Sequence, residues 1–251
     1  YMKNALKFWV EEANIDGYRC DVAEMVPTDF WENVRKELDK IKPVFMLAEA
    51  EHPPHHQKAF DMSYAWEMLH IMNEIAKGNK NALHIDSVLV KNKGRFPANS
   101  YRMYFTTNHD ENSWNGCAVK RLGEDALKAF TVLTFTLNGM PLIYSGQEAG
   151  LDKELSFFEK DTIIWEENVM TDLFRALSVY RENNQALWSG LEGGKILRVF
   201  STDEESVFSF IREKGDDRVF VILNLTDEPK EVSFIGRAYE GEYTDIFDVD
   251  P

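Results

Sequence analysis

Cysteine is nearly absent: Cys20 and Cys117 are the only two in 251 residues. That excludes a disulfide framework and leaves two thiols expected to pack as small apolar side chains. No apolar run approaches the roughly 20 residues that a membrane-spanning helix requires. Positive charge is scarce, with 28 Lys and Arg against 43 Asp and Glu and a net charge of -15. Nucleic acids and anionic membranes demand clustered cations, so both are disfavoured as partners, while a neutral ligand is compatible with this balance. Internal repeats, low-complexity linkers and a signal peptide are not visible, which leaves the compartment open.

What is present is an ordinary globular composition, 44% hydrophobic and 28% charged, in a chain long enough to bury a large core. Met2, Leu6, Trp9 and Val10 recur at helical spacing up to Asn14. Ile15 to Asp21 reads as a strand. Pro27, Thr28 and Asp29 start a helix with Phe30, Val34, Leu38 and Ile41 on one face. Pro43 ends it, and Val44 to Ala48 is an apolar strand closing at Glu49. The same βα alternation continues through a strand at Phe60 to Tyr64, a helix at Trp66 to Ala76 and a strand at Arg102 to Thr106. A helix at Ala126 to Leu137 follows, capped by Asn138-Gly139, then a strand at Pro141 to Tyr144 and a helix around Leu173, Leu177 and Tyr180.

Five such strands imply part of a parallel α/β barrel, whose closed form needs eight. Beyond about Leu187 the strands become short: Ile196–Phe200, Val207–Ile211, Val219–Asn224 and Val232–Ile235. Gly, Asp and Glu clusters split them, as in a small antiparallel β-sandwich. The expected organisation is a barrel part over 1–187 and a β-domain over 188–251, truncated at Asp248-Val249-Asp250-Pro251.

Chemistry concentrates at the strand ends. Arg19 and Asp21 lie two positions apart, so alternation points them to the same side, where the cation keeps the carboxylate ionised. Glu49 closes an apolar strand with no neighbouring cation in sequence, an environment that raises a carboxyl pKa. Asp110 ends a third strand. In a parallel barrel, reactive groups gather at such C-terminal strand ends. An ionised carboxylate paired with a protonated one is what a retaining glycosidase uses.

These segments resemble the alpha-amylase family of glycoside hydrolases. Gly17-Tyr18-Arg19-Cys20-Asp21 with Pro27, Phe45-Met46-Leu47-Ala48-Glu49, and Asn108-His109-Asp110 stand in the order of that family's second, third and fourth conserved regions. Ala48 replaces a usual Gly. Gly139 to Glu148 looks like the family's last barrel strand and loop. The resemblance covers residues 1–187. It implies that Asp21 is the nucleophile, Glu49 the acid/base, and Asp110 the group that grips the sugar's 2- and 3-hydroxyls. Arg19 then orients Asp21, while His109, with Asn108, contacts substrate.

The family's first region and first three strands are not found, so the resemblance implies the C-terminal portion of a longer enzyme. An N-terminal piece of roughly 150 residues or more is expected to be missing by comparison with full barrels. Any calcium site belongs to that piece, and no cofactor is expected within this chain. The chain alone is expected to be inactive.

Subsite contacts are expected from Glu24, which with Met25 stands where the family often has Lys-His, and from Glu51, beside His52. Trp114 offers an aromatic face to a pyranose, with core packing as the competing reading. Tyr64 and Trp66 are expected in the core, and His52, His55 and His56 in an exposed loop. The reaction expected is hydrolysis of α-1,4-glucosidic bonds in starch-derived or cyclic maltooligosaccharides. The rivals are a transglycosylase or isomerase using the same triad, and a catalytically silent amylase-like partner protein.

Overall fold

A computed structural model describes residues 1–247; the chain end at Asp248–Pro251 lies outside the described residues. The chain divides into two compact units, one comprising Tyr1–Trp66 and Val90–Met103, the other Glu67–Leu89 and Tyr104–Pro251.

The first unit opens with α1 (Met2–Ala13), ended by Asn14 in the left-handed conformation, a role Asn shares with Gly. The strand β1 (Gly17–Cys20) follows, then α2 (Thr28–Leu38) and β2 (Phe45–Ala48). After β3 (Met62–Tyr64) the chain leaves this unit and returns for β4 (Tyr101–Tyr104). The strands pair in parallel, with Arg19 opposite Leu47, Ala48 opposite Ser63, and Ser63 opposite Arg102. Alternation divides the faces of β1. Tyr18 turns toward α1, its hydroxyl donating to the Leu6 carbonyl, and Cys20 joins the core of Trp31, Val34, Leu38 and Met46. Gly17 and Arg19 line the other face with Phe45 and Leu47, around a hollow of about 300 Å³.

Gly17 has no room for a side chain: a Cβ there would sit 2.0 Å from the Phe45 carbonyl oxygen. Because the obstacle is backbone of the paired strand, Gly17→Ala must push β1 and β2 apart. The expected result is a loss of about 1–3 kcal/mol, seen as a lower melting temperature; an unchanged melt would show that the strands can shift freely.

The His52–His56 segment corrects the expected exposed loop. His55 and His56 are buried in a 3₁₀ turn, Pro53–His56. His55 Nε2 is 3.1 Å from the Ala23 carbonyl, which only accepts, so this nitrogen carries the hydrogen and Nδ1 accepts from Thr28 Oγ1 at 3.0 Å. His56 Nε2 lies 2.6 Å from Ser63 Oγ. Burial, then the nearby Arg102 charge and His55, push its pKa down to about 3.

The sign is that of a group kept neutral by folding. Its contribution is complete above the ordinary value of 6.5 and is lost as pH falls toward about 3. The urea midpoint should therefore drop between pH about 7.5 and about 4.5, and drop less in His56→Gln. Equal slopes in the two proteins would rule His56 out as the cause.

The second unit contains most of α3 (Trp66–Ala76) and the first part of α4 (Leu83–Arg95), a helix the sequence reading did not identify. It continues with α5 (His109–Asn115), α6 (Ala118–Leu122), α7 (Glu124–Thr136), β5 (Met140–Pro141) and α8 (Val169–Asn183). The expected Pro141–Tyr144 strand is shorter; beside it, Leu142 N–H donates to the Tyr104 carbonyl at 2.8 Å. Nor does Asn138-Gly139 form a left-handed cap. α7 ends at an extended Leu137, and the Asn138 side chain instead bonds the backbone of Gly190 and Gly194.

An antiparallel sheet follows, made of β6 (Lys195–Arg198), β7 (Val207–Lys214) and β8 (Asp217–Asn224). The expected strand at Val232–Ile235 is reduced to a bridge between Phe234 and Ser201. Arg212 on β7 is fully buried, donating to the carbonyls of Gly194, Thr136, Leu137, Leu187 and Trp188. One guanidinium thus satisfies the end of α7 and the approach to the sheet together. Five strand–helix steps and then an antiparallel sheet make this part of an α/β barrel followed by a β-domain.

Candidate active site

In the first unit the strand ends deliver two carboxylates to one cation. Arg19 Nη1 donates to Asp21 Oδ1 at 2.5 Å, and its Nη2 lies 3.1 Å from Glu49 Oε1, close but not aligned as a hydrogen bond. Arg19 Nε donates to Tyr64 Oη at 3.1 Å, with the guanidinium 5.6 Å from the Tyr64 ring centre. Burial lowers the Arg19 pKa, but the hydrogen bonds to Tyr64 and Asp21 and the charges of Tyr64 and Glu49 outweigh it and raise it overall. Asp21 is open to solvent, with 77% of its side chain exposed, whereas Glu49 is at 13%.

The turn after β1 is locked onto Glu49. Val22 N–H donates to Glu49 Oε2 at 2.7 Å, Ala23 N–H to the Glu49 carbonyl at 3.1 Å, and Glu49 N–H to the Cys20 carbonyl at 3.0 Å. Val22 is left-handed, at φ 42° and ψ 43°. A β-branched residue there is strained and persists only when its surroundings hold it. That strained residue directly follows Asp21. Cys20, behind it, is buried and free, its thiol pushed up to about 12 by burial against the pull of Arg19; it packs and does not react.

The remaining first-unit candidates separate. Glu24 is exposed on the 3₁₀ turn Ala23–Met25. Glu51 pairs with Arg102, which also donates to Ser63 Oγ at 2.7 Å and to the Tyr64 carbonyl at 2.6 Å, and stacks 4.0 Å from the Phe96 ring centre. Tyr64 is buried, as expected of a core residue, yet it also holds Arg19. Its place at the end of β3, beside the end of β2, was the available sequence signal.

In the second unit Asn108 is the N-cap of α5, its Oδ1 accepting from Glu111 N–H at 2.8 Å. The next two residues, His109 and Asp110, start the helix with His109 Nε2 and Asp110 Oδ2 3.3 Å apart. Asn108 is 1% exposed, while His109 and Asp110 keep side chains at 45% and 36%. Tyr144, which the sequence did not single out, has its pKa raised by burial and then by the charge of Asp110. The loop carrying it is fixed by Gln147, which accepts from Tyr144 N–H at 2.8 Å and donates to Thr106 Oγ1 at 2.9 Å. Trp114 is exposed on α5. Among the described residues, no group of three or more His, Cys, Asp and Glu side chains could hold a metal ion, and no helix is long and apolar enough to cross a membrane.

Residues 1–219 match the family described as alpha amylase, catalytic domain, and residues 198–251 match the alpha amylase C-terminal all-beta domain. Alpha-amylase 2 of Dictyoglomus thermophilum is 24% identical, covering 98% of this chain and 44% of that protein. A cyclomaltodextrinase of Thermoanaerobacter pseudethanolicus is 25% identical, covering 94% of this chain and 41% of its own length. Among solved structures, the maltogenic alpha-amylase AmyB from Thermotoga neapolitana superposes with a TM-score of 0.87 at 29% identity, over 100% of this chain and 59% of that one. The chain spans less than half the length of these curated relatives. With the catalytic-domain match running through most of its residues and the all-beta match through the rest, this chain belongs to the alpha-amylase family.

Proposed function

We propose that the protein carrying this chain is a retaining α-glucan hydrolase that cleaves α-1,4-glucosidic bonds of maltooligosaccharides. The observation that supports this most is the single guanidinium of Arg19 shared between Asp21 and Glu49. One cation between two carboxyls of unequal exposure gives them different surroundings, as the two roles of a nucleophile and an acid/base require.

On this reading Asp21 attacks the anomeric carbon and forms a glycosyl ester, while Glu49 protonates the departing glycosidic oxygen. Glu49 then takes a proton from water, which attacks the same carbon and releases the sugar with its configuration retained. Arg19 and the Val22 turn hold Asp21 in place. Asp110 binds the hydroxyls of the sugar ring as positive charge develops, and His109 assists it. Residues 1–187 serve the barrel and 188–251 the small β-domain.

Proton nuclear magnetic resonance of early products from maltoheptaose tests the mechanism. The α-anomer must appear first, and a β-anomer product would end it. Transfer to sugar instead of water would show as products longer than the substrate. Five strands do not close a barrel of eight, so the 251 residues alone are expected to release no sugar in the same assay.

A further inference from the structure

We infer that Trp114, Phe157 and Phe158 form a stacking platform for the α-glucan chain; this rests on the glucan-hydrolase reading above. The three rings are exposed at 60%, 46% and 82%, an unusual amount of solvent contact for large aromatics grouped together. They are mutually packed, with Trp114 and Phe157 centred 5.1 Å apart and Phe157 and Phe158 4.9 Å apart.

The platform is built rather than loose. Asn112 on α5 grips the facing segment from both sides, its Nδ2 donating to the Lys153 carbonyl at 3.1 Å and its Oδ1 accepting from Leu155 N–H at 2.7 Å. Ser113 Oγ adds a bond to the Leu155 carbonyl at 2.9 Å. Beyond the two phenylalanines, Asp161 closes the loop by accepting from Lys153 Nζ at 2.6 Å, Thr162 N–H at 2.7 Å and Ser156 N–H at 3.1 Å. Rings fixed in this way lose little entropy when a ligand arrives.

The chemistry of the surface selects the occupant. Flat aromatic faces suit the apolar C–H face of a pyranose, leaving its hydroxyls in water. Asp152, Glu154, Glu159, Glu166 and Glu167 flank the rings in sequence, which disfavours nucleic acids and anionic membranes and leaves a neutral glycan acceptable. Trp114 stands four residues after Asp110 on the same helix, so the two share a face about one turn apart. A glucan held at Asp110 therefore extends naturally toward the rings, which discriminate long chains from short ones.

The test uses the full-length protein and three variants: Trp114→Ala, Trp114→Phe, and the double change Phe157→Ala with Phe158→Ala. Retardation in gels containing soluble starch reads binding without turnover. Both alanine variants should lose it, and Trp114→Phe should keep most of it. The ratio of kcat/KM on maltoheptaose to that on p-nitrophenyl α-maltoside should fall about tenfold in the alanine variants. Retardation equal to the parent's, with an unchanged ratio, overturns the platform. So does light scattering that shows a parent dimer converted to monomer by the same changes with starch binding intact, because the rings then join two copies. Loss of starch binding with no turnover in the parent would instead support the platform and remove the hydrolase reading.

Discussion

Replacing Asp21 with Asn in the full-length protein lowers kcat on maltoheptaose by about 10⁴-fold or more, the scale on which loss of a covalent nucleophile is felt. The substitution is nearly isosteric, and the amide oxygen still accepts from Arg19 Nη1, which lies 2.5 Å from the carboxylate. With 77% of the side chain exposed, the change should leave stability within about 0.5 kcal/mol. A melting curve like the parent's, together with lost turnover measured by reducing-sugar release, is the expected pair of results. Azide added to Asp21→Ala should restore sugar release by occupying the vacated position. Full turnover in Asp21→Asn would remove Asp21 as the nucleophile, whereas no turnover in the full-length parent would favour a silent amylase-like partner.

The second large effect concerns Arg19→Leu. The guanidinium makes one contact to each of Asp21, Glu49 and Tyr64, and neither Leu nor the point charge of Lys reproduces that fork. Without it the nucleophile loses the donor that aims it, and two carboxyls face each other with no cation between them. The maximum of kcat/KM should therefore fall by about 10²–10³-fold while the variant keeps a cooperative melting curve. Arg19→Lys should recover part of the loss. Loss of the melting transition together with turnover, in Arg19→Leu and Arg19→Lys alike, would reduce Arg19 to a purely structural residue.

Much of this was readable along the chain because it depends on near neighbours. The 3.6-residue spacing of Met2, Leu6 and Val10 and the apolar run before Glu49 placed α1 and β2 to within a few residues. The pairing of Arg19 with Asp21 needed only the alternation of a strand. α4 escaped notice because its apolar residues, Leu83, Ile85, Val88, Leu89 and Val90, all precede a polar end at Lys91, Asn92, Lys93, Gly94 and Arg95, leaving a weak stripe. The strand expected at Val232–Ile235 was read from β-propensity, but propensity cannot supply a partner, and a single bridge formed instead.

The sequence by itself determined the βα alternation, the change to short antiparallel strands and the family, since these are properties of local spacing. Asp110, expected to end a strand, instead stands in the first turn of α5. Tertiary structure alone decided that Glu49 shares Arg19 with Asp21, that Val22 is held left-handed by Glu49, and that His55 and His56 are interior. It also decided that Arg212 threads the carbonyls of α7 and the segments before β6. Each of these joins residues distant along the chain, and only packing, which sets which groups lose water together, fixes such partners.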